Sequence, residues 1–360
     1  MPCWRGRQSG RRNCCEKHLP YHLAMKAIVL RRTGRPNVLK PTDVPEPRPG
    51  TGEVRVQLHY SGVNYAEILS RKGLYAWAPE RPYVLGMEGS GVIDSVGAGV
   101  DRSRVGQEVM VGTQSGCYAE KVVIPEERAI PAVPSFAMEE NAAFPVNYMT
   151  AWVALVELAR LQEGERVLIT AAAGGVGTAA VQLAAKLGCE VYGLAGSDEK
   201  LALVRSLGSR DALNYRASDC FARLSSSAGG FDVVLETVGG RVYREATKLL
   251  NPFGRLVVAG FAGLDLKKWN PLSWWWTWRD MPRAKLLEMA ESSTGVMATH
   301  LGYLLDDPAR LRAVFERLRA FVTEQGVRPV IGRVYDFERA GEAHAYVESR
   351  RSVGKVLLRH

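Results

Sequence analysis

Between residue 25 and about residue 150, apolar positions recur in short runs rather than at helical spacing. "EVRVQLHYSGV" alternates and ends close to a Gly, and "GSGVIDSVGAGV", "QEVMVG" and "CYAEKVVIP" are further apolar or alternating runs cut by Gly and Pro. Period-two runs of this length predict half-buried strands. Only "NYAEILSRKG" and residues 136–160 carry a helical pattern. This half of the chain is expected to be mostly β.

The pattern changes near residue 165. The strand "ERVLITA" runs into a Gly turn and the helix "VGTAAVQLAAKLG". Then follow strand "CEVYGLA", helix "SDEKLALVRSLG", strand "FDVVLET", helix "RVYREATKLL" and strand "GRLVVAG". Strands alternating with helices predict βαβ units and a parallel, doubly wound sheet. The fold class is therefore α/β, a β domain joined to a Rossmann-type sheet. Beyond it, "PARLRAVFERLRAFVTEQG" reads as an amphipathic helix and "VGKVLL" as a closing strand. Residues 167–185 are uncharged and about long enough to span a bilayer. Their β-branched start and Gly-rich middle read instead as strand, turn and buried helix.

The 360-residue length fits two domains, and 46% hydrophobic with 24% charged residues is ordinary for a globular chain. The net charge of +9 invites a nucleic-acid reading, but the first 24 residues hold Arg5, Arg7, Arg11, Arg12 and Lys17 against Glu16 alone, so four of the nine charges lie there. The rest are spread without a basic run or interleaved aromatics, and no nucleic-acid face is expected. The leader lacks the apolar core of a secretory signal. It reads as a disordered tail or an upstream start, with Met25 opening the first strand. Its Cys3, Cys14, Cys15, His18 and His22 do not follow zinc-finger spacing. Cys117, Cys189 and Cys220 are far apart, so reduced thiols and a cytoplasmic location are expected.

"AAAGGVG" follows a strand and opens a helix, the context that gives a Gly motif meaning. Gly174 would permit the tight turn, Gly175 and Val176 would offer backbone N–H groups to a pyrophosphate, and Gly177 would allow close helix–strand packing. An NAD site places Asp or Glu about 20 residues on, to bind the ribose 2′-hydroxyl. Here the second strand ends "YGLAGSDEK", with Gly196 and Ser197 in that turn. Asp198 and Glu199 read as first-turn helix acids. Lys200 would reach a 2′-phosphate, or is simply a solvated lysine. NADPH is the expected cofactor.

With these motifs in order, the chain from about residue 25 onward resembles the medium-chain dehydrogenase/reductase superfamily. "PGTGEVRV", "SGVNYAEILSRKGLY", "GMEGSGVIDSVGAGV", "AAFPVNYMTAWVAL", "AAAGGVG" and "VGKVLL" carry the likeness. "GMEGSG", "VNYMTAW" and "HLGYL" make it similar to the zinc-independent quinone oxidoreductase (zeta-crystallin-like) branch and, within it, to homologues of the synaptic vesicle amine transport protein. Past the disordered or artefactual leader over 1–24, the resemblance implies a GroES-like catalytic domain over 25–150, a Rossmann NADPH-binding domain over 151–292, and a C-terminal segment 293–360 that completes the fold and the catalytic domain. It also implies a homodimer and a cleft at the domain junction. It places Gly196, Lys200, Tyr215 and Arg350 around the 2′-phosphate and adds Thr150 to the cofactor contacts.

Zinc members of the superfamily hold catalytic zinc with Cys, His and Cys. The matching positions here are Asn64, Met87 and Val146, which cannot supply three ligands, and Cys117 is the one Cys where a structural four-Cys lobe would lie. No metal is expected. A quinone or conjugated enone accepts hydride without a Lewis acid, so hydrogen-bond donors near its carbonyl suffice. By resemblance Asn64 and Tyr75 face the nicotinamide and take that role; a loop cap and a rim aromatic are their plainer readings. Tyr148 is a third candidate among apolar neighbours, Glu88 reads as structural, and His300 as structural or as a proton donor. The expected activity is NADPH-dependent, zinc-independent reduction of quinones or α,β-unsaturated carbonyls.

"KKWNPLSWWWTWRD" places Trp269, Trp274, Trp275, Trp276 and Trp278 after the strand "GRLVVAG". A pocket wall, a dimer surface, a packed lid and a membrane-interface patch with flanking Lys267, Lys268 and Arg279 are all compatible with it. The last underlies a second reading, an NADPH-binding protein with little turnover that docks to membranes or partners through residues 269–278.

Overall fold

The computed structural model describes residues 24–260 and 283–360. The leader, except Ala24, and the Trp-rich segment lie outside the described residues.

Six strands form one parallel sheet in the order Asp211–Asn214, Glu190–Ala195, Arg166–Ile169, Phe231–Glu236, Leu250–Val258 and Gly295–Ala298. This is the doubly wound Rossmann order, which opens its ligand crevice at the carboxyl ends of the strands. The uncharged run resolves as expected into the strand Arg166–Ile169 and the helix Gly175–Lys186, and no described helix is long and apolar enough to cross a membrane. Two strands of this sheet differ from the sequence reading. Asp211–Asn214 has only Ala212 and Leu213 buried between polar ends, too short to alternate. Gly295–Ala298 lies past residue 292 and pairs with Leu250–Val258, so the parallel sheet continues into the segment read as completing the fold.

The second sheet runs Ile331–Asp336, Lys355–Arg359, Glu53–Val63, Glu88–Val96, Glu108–Gly112, Ala129–Pro131, with Lys121–Pro125 also pairing with Glu53–Val63. Its inward positions, among them Val54, Val56, Leu58, Ile93, Val109 and Val111, form a buried core, as period-two alternation dictates. "VGKVLL" is the closing strand, antiparallel to Glu53–Val63 with Val356 opposite Val63. Ser61 also faces Gly89 on the other side. Asn64, Glu88 and Lys355 therefore stand at neighbouring ends of three adjacent strands. A parallel bridge between Gly174 and Gly354, with Gly354 N–H donating to Ala173 at 2.8 Å, ties this end of the β domain to the Gly turn.

Candidate active site

The turn between Arg166–Ile169 and Gly175–Lys186 is shaped by close approach. A Cβ at Gly177 would lie 2.3 Å from the Ala171 carbonyl oxygen, and one at Gly175 would lie 2.6 Å from Asn147 Nδ2. From sequence, the tight turn falls to Gly174. The structure corrects this: Gly174 is extended (φ −80°, ψ 179°), and Ala171 is the left-handed residue at φ 45°. Gly174 N–H donates back to Ala171, whereas those of Gly175, Val176 and Gly177 have no acceptor among the described residues. Three open donors at the positive end of a helix suit an anion.

At the end of Glu190–Ala195 five residues meet. A Cβ on Gly196 would lie 3.1 Å from Tyr215 Oη and 3.3 Å from Arg216 Nε. The Arg216 guanidinium stands 5.9 Å from the centre of the Tyr215 ring. Lys200 is half-buried and donates to the Arg350 carbonyl at 2.8 Å. Burial, and then the Arg216 charge, lower the pKa of Lys200, with Glu199 opposing. Arg350 thus meets Lys200 through its backbone, held at φ 59°. Arg216 is the member the sequence reading missed. Its only signal was its place beside Tyr215.

The third group sits among the strand ends. Glu88 is fully buried; its Oε1 accepts from Asn64 Nδ2 at 2.9 Å and from Lys355 Nζ, and its Oε2 accepts from Val146 N–H at 2.8 Å. Lys355 also donates to Asn64 Oδ1 at 2.6 Å. Glu67, equally buried, accepts the N–H groups of Asn64 at 2.5 Å and Met87 at 2.8 Å and the Tyr118 hydroxyl at 3.1 Å. Burial drives the Glu67 pKa up to about 7, against the pull of these N–H groups and of Lys355. The backbones of Asn64, Met87 and Val146 are thus gathered by two carboxylates. Asn64 does not act as a side-chain cap; its amide is committed to Glu88 and Lys355. Gly62 makes room, since a Cβ there would lie 2.6 Å from Glu88 Oε1 and 2.7 Å from Lys355 Cε. Among the described residues, no group of three His, Cys, Asp or Glu side chains is placed to hold a metal ion.

Tyr75 lies in the loop after the helix Tyr65–Lys72. Its hydroxyl is 2.8 Å from His300 Nε2, and burial first, then the Glu67 charge, push its pKa up to about 12. Trp77 stacks on the His300 ring at 4.1 Å and 20°. No hydrogen bond joins Asn64 to Tyr75. Thr150 donates to the Val146 carbonyl of its own helix at 2.6 Å, so the structure commits that hydroxyl hydrogen inside the helix. Tyr148 is buried against Phe144, accepts from Gln182 and donates to the Arg328 carbonyl at 3.0 Å, a packing role.

Residues 50–135 match the family described as alcohol dehydrogenase GroES-like domain, and residues 207–358 the family described as zinc-binding dehydrogenase. The chain is 34% identical over 315 residues to the human synaptic vesicle membrane protein VAT-1 homolog, covering 87% of this chain and 80% of the relative. It is 32% identical over 340 residues to the rat quinone oxidoreductase, covering 93% and 97%. Among solved structures, the quinone oxidoreductase from Thermus thermophilus, solved also in complex with NADPH, matches with a TM-score of 0.78 at 33% identity, covering 93% of this chain and 100% of that one.

Proposed function

The chain belongs to the medium-chain dehydrogenase/reductase superfamily, and on that basis we propose that it is an NADPH-dependent, zinc-independent reductase of quinones or α,β-unsaturated carbonyls. The observation that carries the reading is the Asn64–Glu88–Lys355 cluster. It includes Asn64, one of the three positions that match the zinc ligands, and the nearby carboxylates are spent on the Lys355 ammonium and on the backbone N–H groups of the other two positions, Val146 on Glu88 and Met87 on Glu67. Asn64, Met87 and Val146 cannot replace three ligands drawn from Cys, His and carboxylate. An unactivated alcohol would need such a metal or a strong base; a conjugated carbonyl does not, because delocalisation spreads the charge left by hydride addition.

The residues present fit NADPH on two counts. The glycines at 175 and 177 form a cradle that any side chain would fill, with three open N–H donors for the pyrophosphate. Lys200 and Arg216 bring two cations to a strand end whose Gly196–Ser197 turn carries no acid, and a 2′-phosphate there would offset the desolvation and repulsion that lower the Lys200 pKa. Bound NADPH supplies the hydride. The chain's own part is to hold the dinucleotide at Gly175–Gly177, to read its phosphate with Lys200, Tyr215 and Arg216, and to aim the Tyr75 hydroxyl at the substrate oxygen.

The test is NADPH and NADH oxidation, followed by absorbance, over a panel of quinones, enones and alcohols with and without a chelator. The reading expects NADPH-preferring, chelator-insensitive reduction of quinones or enones. Chelator-sensitive alcohol oxidation would overturn it.

A further inference from the structure

We propose that His300 sets the direction of the Tyr75 hydroxyl hydrogen: His300 Nε2–H donates to Tyr75 Oη, leaving the phenolic hydrogen free for the carbonyl oxygen of the substrate. The proposal rests on the reductase reading of the cleft.

The tautomer is fixed from Gly302. Its backbone N–H donates to His300 Nδ1 at 3.2 Å. A ring nitrogen that accepts an N–H carries no hydrogen of its own, so the hydrogen of the neutral imidazole is on Nε2. Burial favours that neutral ring. Nε2 lies 2.8 Å from Tyr75 Oη. The imidazole is therefore the donor and the phenol the acceptor. In the opposite tautomer two N–H groups would face each other at Gly302, and Tyr75 would spend its single hydrogen on Nε2.

The ring is fixed on both sides. A Cβ at Gly302 would lie 2.5 Å from His300 Cε1, so only glycine lets the imidazole sit over this turn. On another side Trp77 stacks on the ring, and its carbonyl is held by Gln114. The Tyr75 hydroxyl has no second hydrogen-bond partner among the described residues. Its free hydrogen also lies at a useful place. His300 follows the strand Gly295–Ala298 by two residues, at the carboxyl end of the parallel sheet, while Tyr75 comes from the β domain. Their bond spans the domain junction on the edge where doubly wound sheets bind ligands. A phenol that accepts an N–H is polarised into a stronger donor. It can then stabilise the negative charge that hydride addition places on a carbonyl oxygen. His300 is a positioning residue, and Tyr75 touches the substrate.

Two substitutions separate this role from a structural one. In His300→Asn the side-chain oxygen still accepts Gly302 N–H but does not reach Tyr75. In His300→Gln the longer amide places an N–H donor where Nε2 was. The expected result is a kcat about tenfold lower in His300→Asn with KM little changed, below the roughly 10²-fold cost of losing an oxyanion donor outright. His300→Gln should recover most of the rate, and Tyr75→Phe should make His300→Asn silent. Equal activity of wild type and His300→Asn, or His300→Gln no better than His300→Asn, overturns the proposal. The tautomer is read without turnover, from long-range 1H–15N correlations of histidine-labelled protein, with His300→Asn identifying the signal. Protonated Nε2 and bare Nδ1 are expected, and the reverse overturns the proposal. Absence of any quinone or enone reduction by the wild type would instead sink the reductase reading.

Discussion

The Gly turn and the Glu88 cluster touch through Gly354 and Ala173, yet one is open and the other closed. In the turn, the N–H groups of Gly175, Val176 and Gly177 have no acceptor among the described residues, and small residues keep the backbone bare. In the cluster, no polar side-chain atom of Asn64, Glu67, Glu88 or Lys355 is buried without a partner. The open region is organised to receive charge from outside. The closed one brings its own charges and pairs Lys355 with Glu88, and no group of three metal-ligating side chains forms among the described residues.

The largest effect should come from unbalancing the closed region. Lys355→Met leaves Glu88 buried and unpaired, and should cost about 3–5 kcal/mol of stability in denaturant unfolding. Lys355→Met with Glu88→Gln should recover part of that loss. If Lys355→Met is as stable as wild type, the cluster is not a closed, charge-paired unit.

Glu67 gives the next effect, and it depends on pH. Its folded pKa of about 7 exceeds the usual 4.5, so between these values the folded state holds a proton that the unfolded state has lost. Its contribution, about 3 kcal/mol, is complete below about pH 4.5 and lost as pH rises through about 7. Melting curves across that window should show wild-type stability falling relative to Glu67→Gln. A difference independent of pH would refute this.

In the open region the effects should fall on binding. Lys200→Ala and Arg216→Ala should each weaken NADPH by about 1.5–3 kcal/mol, roughly 10- to 100-fold in Kd, and leave NADH nearly unchanged, as titration calorimetry would report. Gly177→Ala, whose Cβ meets a backbone carbonyl, should cost about 1–3 kcal/mol of stability. Gly175→Ala should cost less, because the contacting Asn147 amide is a side-chain end that can turn away.

The same contrast governs what the sequence could reveal. The Gly turn is local, so residues 174–177 pointed to it from their spacing after a strand, although the left-handed residue proved to be Ala171. The β-α alternation was likewise legible, since burial on a regular element repeats with that element's period. Asn64 and Lys355 are 291 residues apart, and Tyr75 and His300 are 225 apart, so only strand order and domain packing bring them together. Arg216 stood next to Tyr215, but nothing local separates an arginine facing a cleft from one facing water. Thr150 had a suitable hydroxyl, and only the geometry of its own helix showed where its hydrogen goes.

For a metal-free, NADPH-reading cleft the decisive measurement is a single turnover. Protein stripped with chelator and assayed for residual metal by mass spectrometry would be mixed with NADPH and a quinone, and NADPH oxidation followed. The full rate is expected at far less than one metal per chain, with NADH much weaker. A rate that falls with metal content and returns on adding zinc would rule out the metal-free cleft.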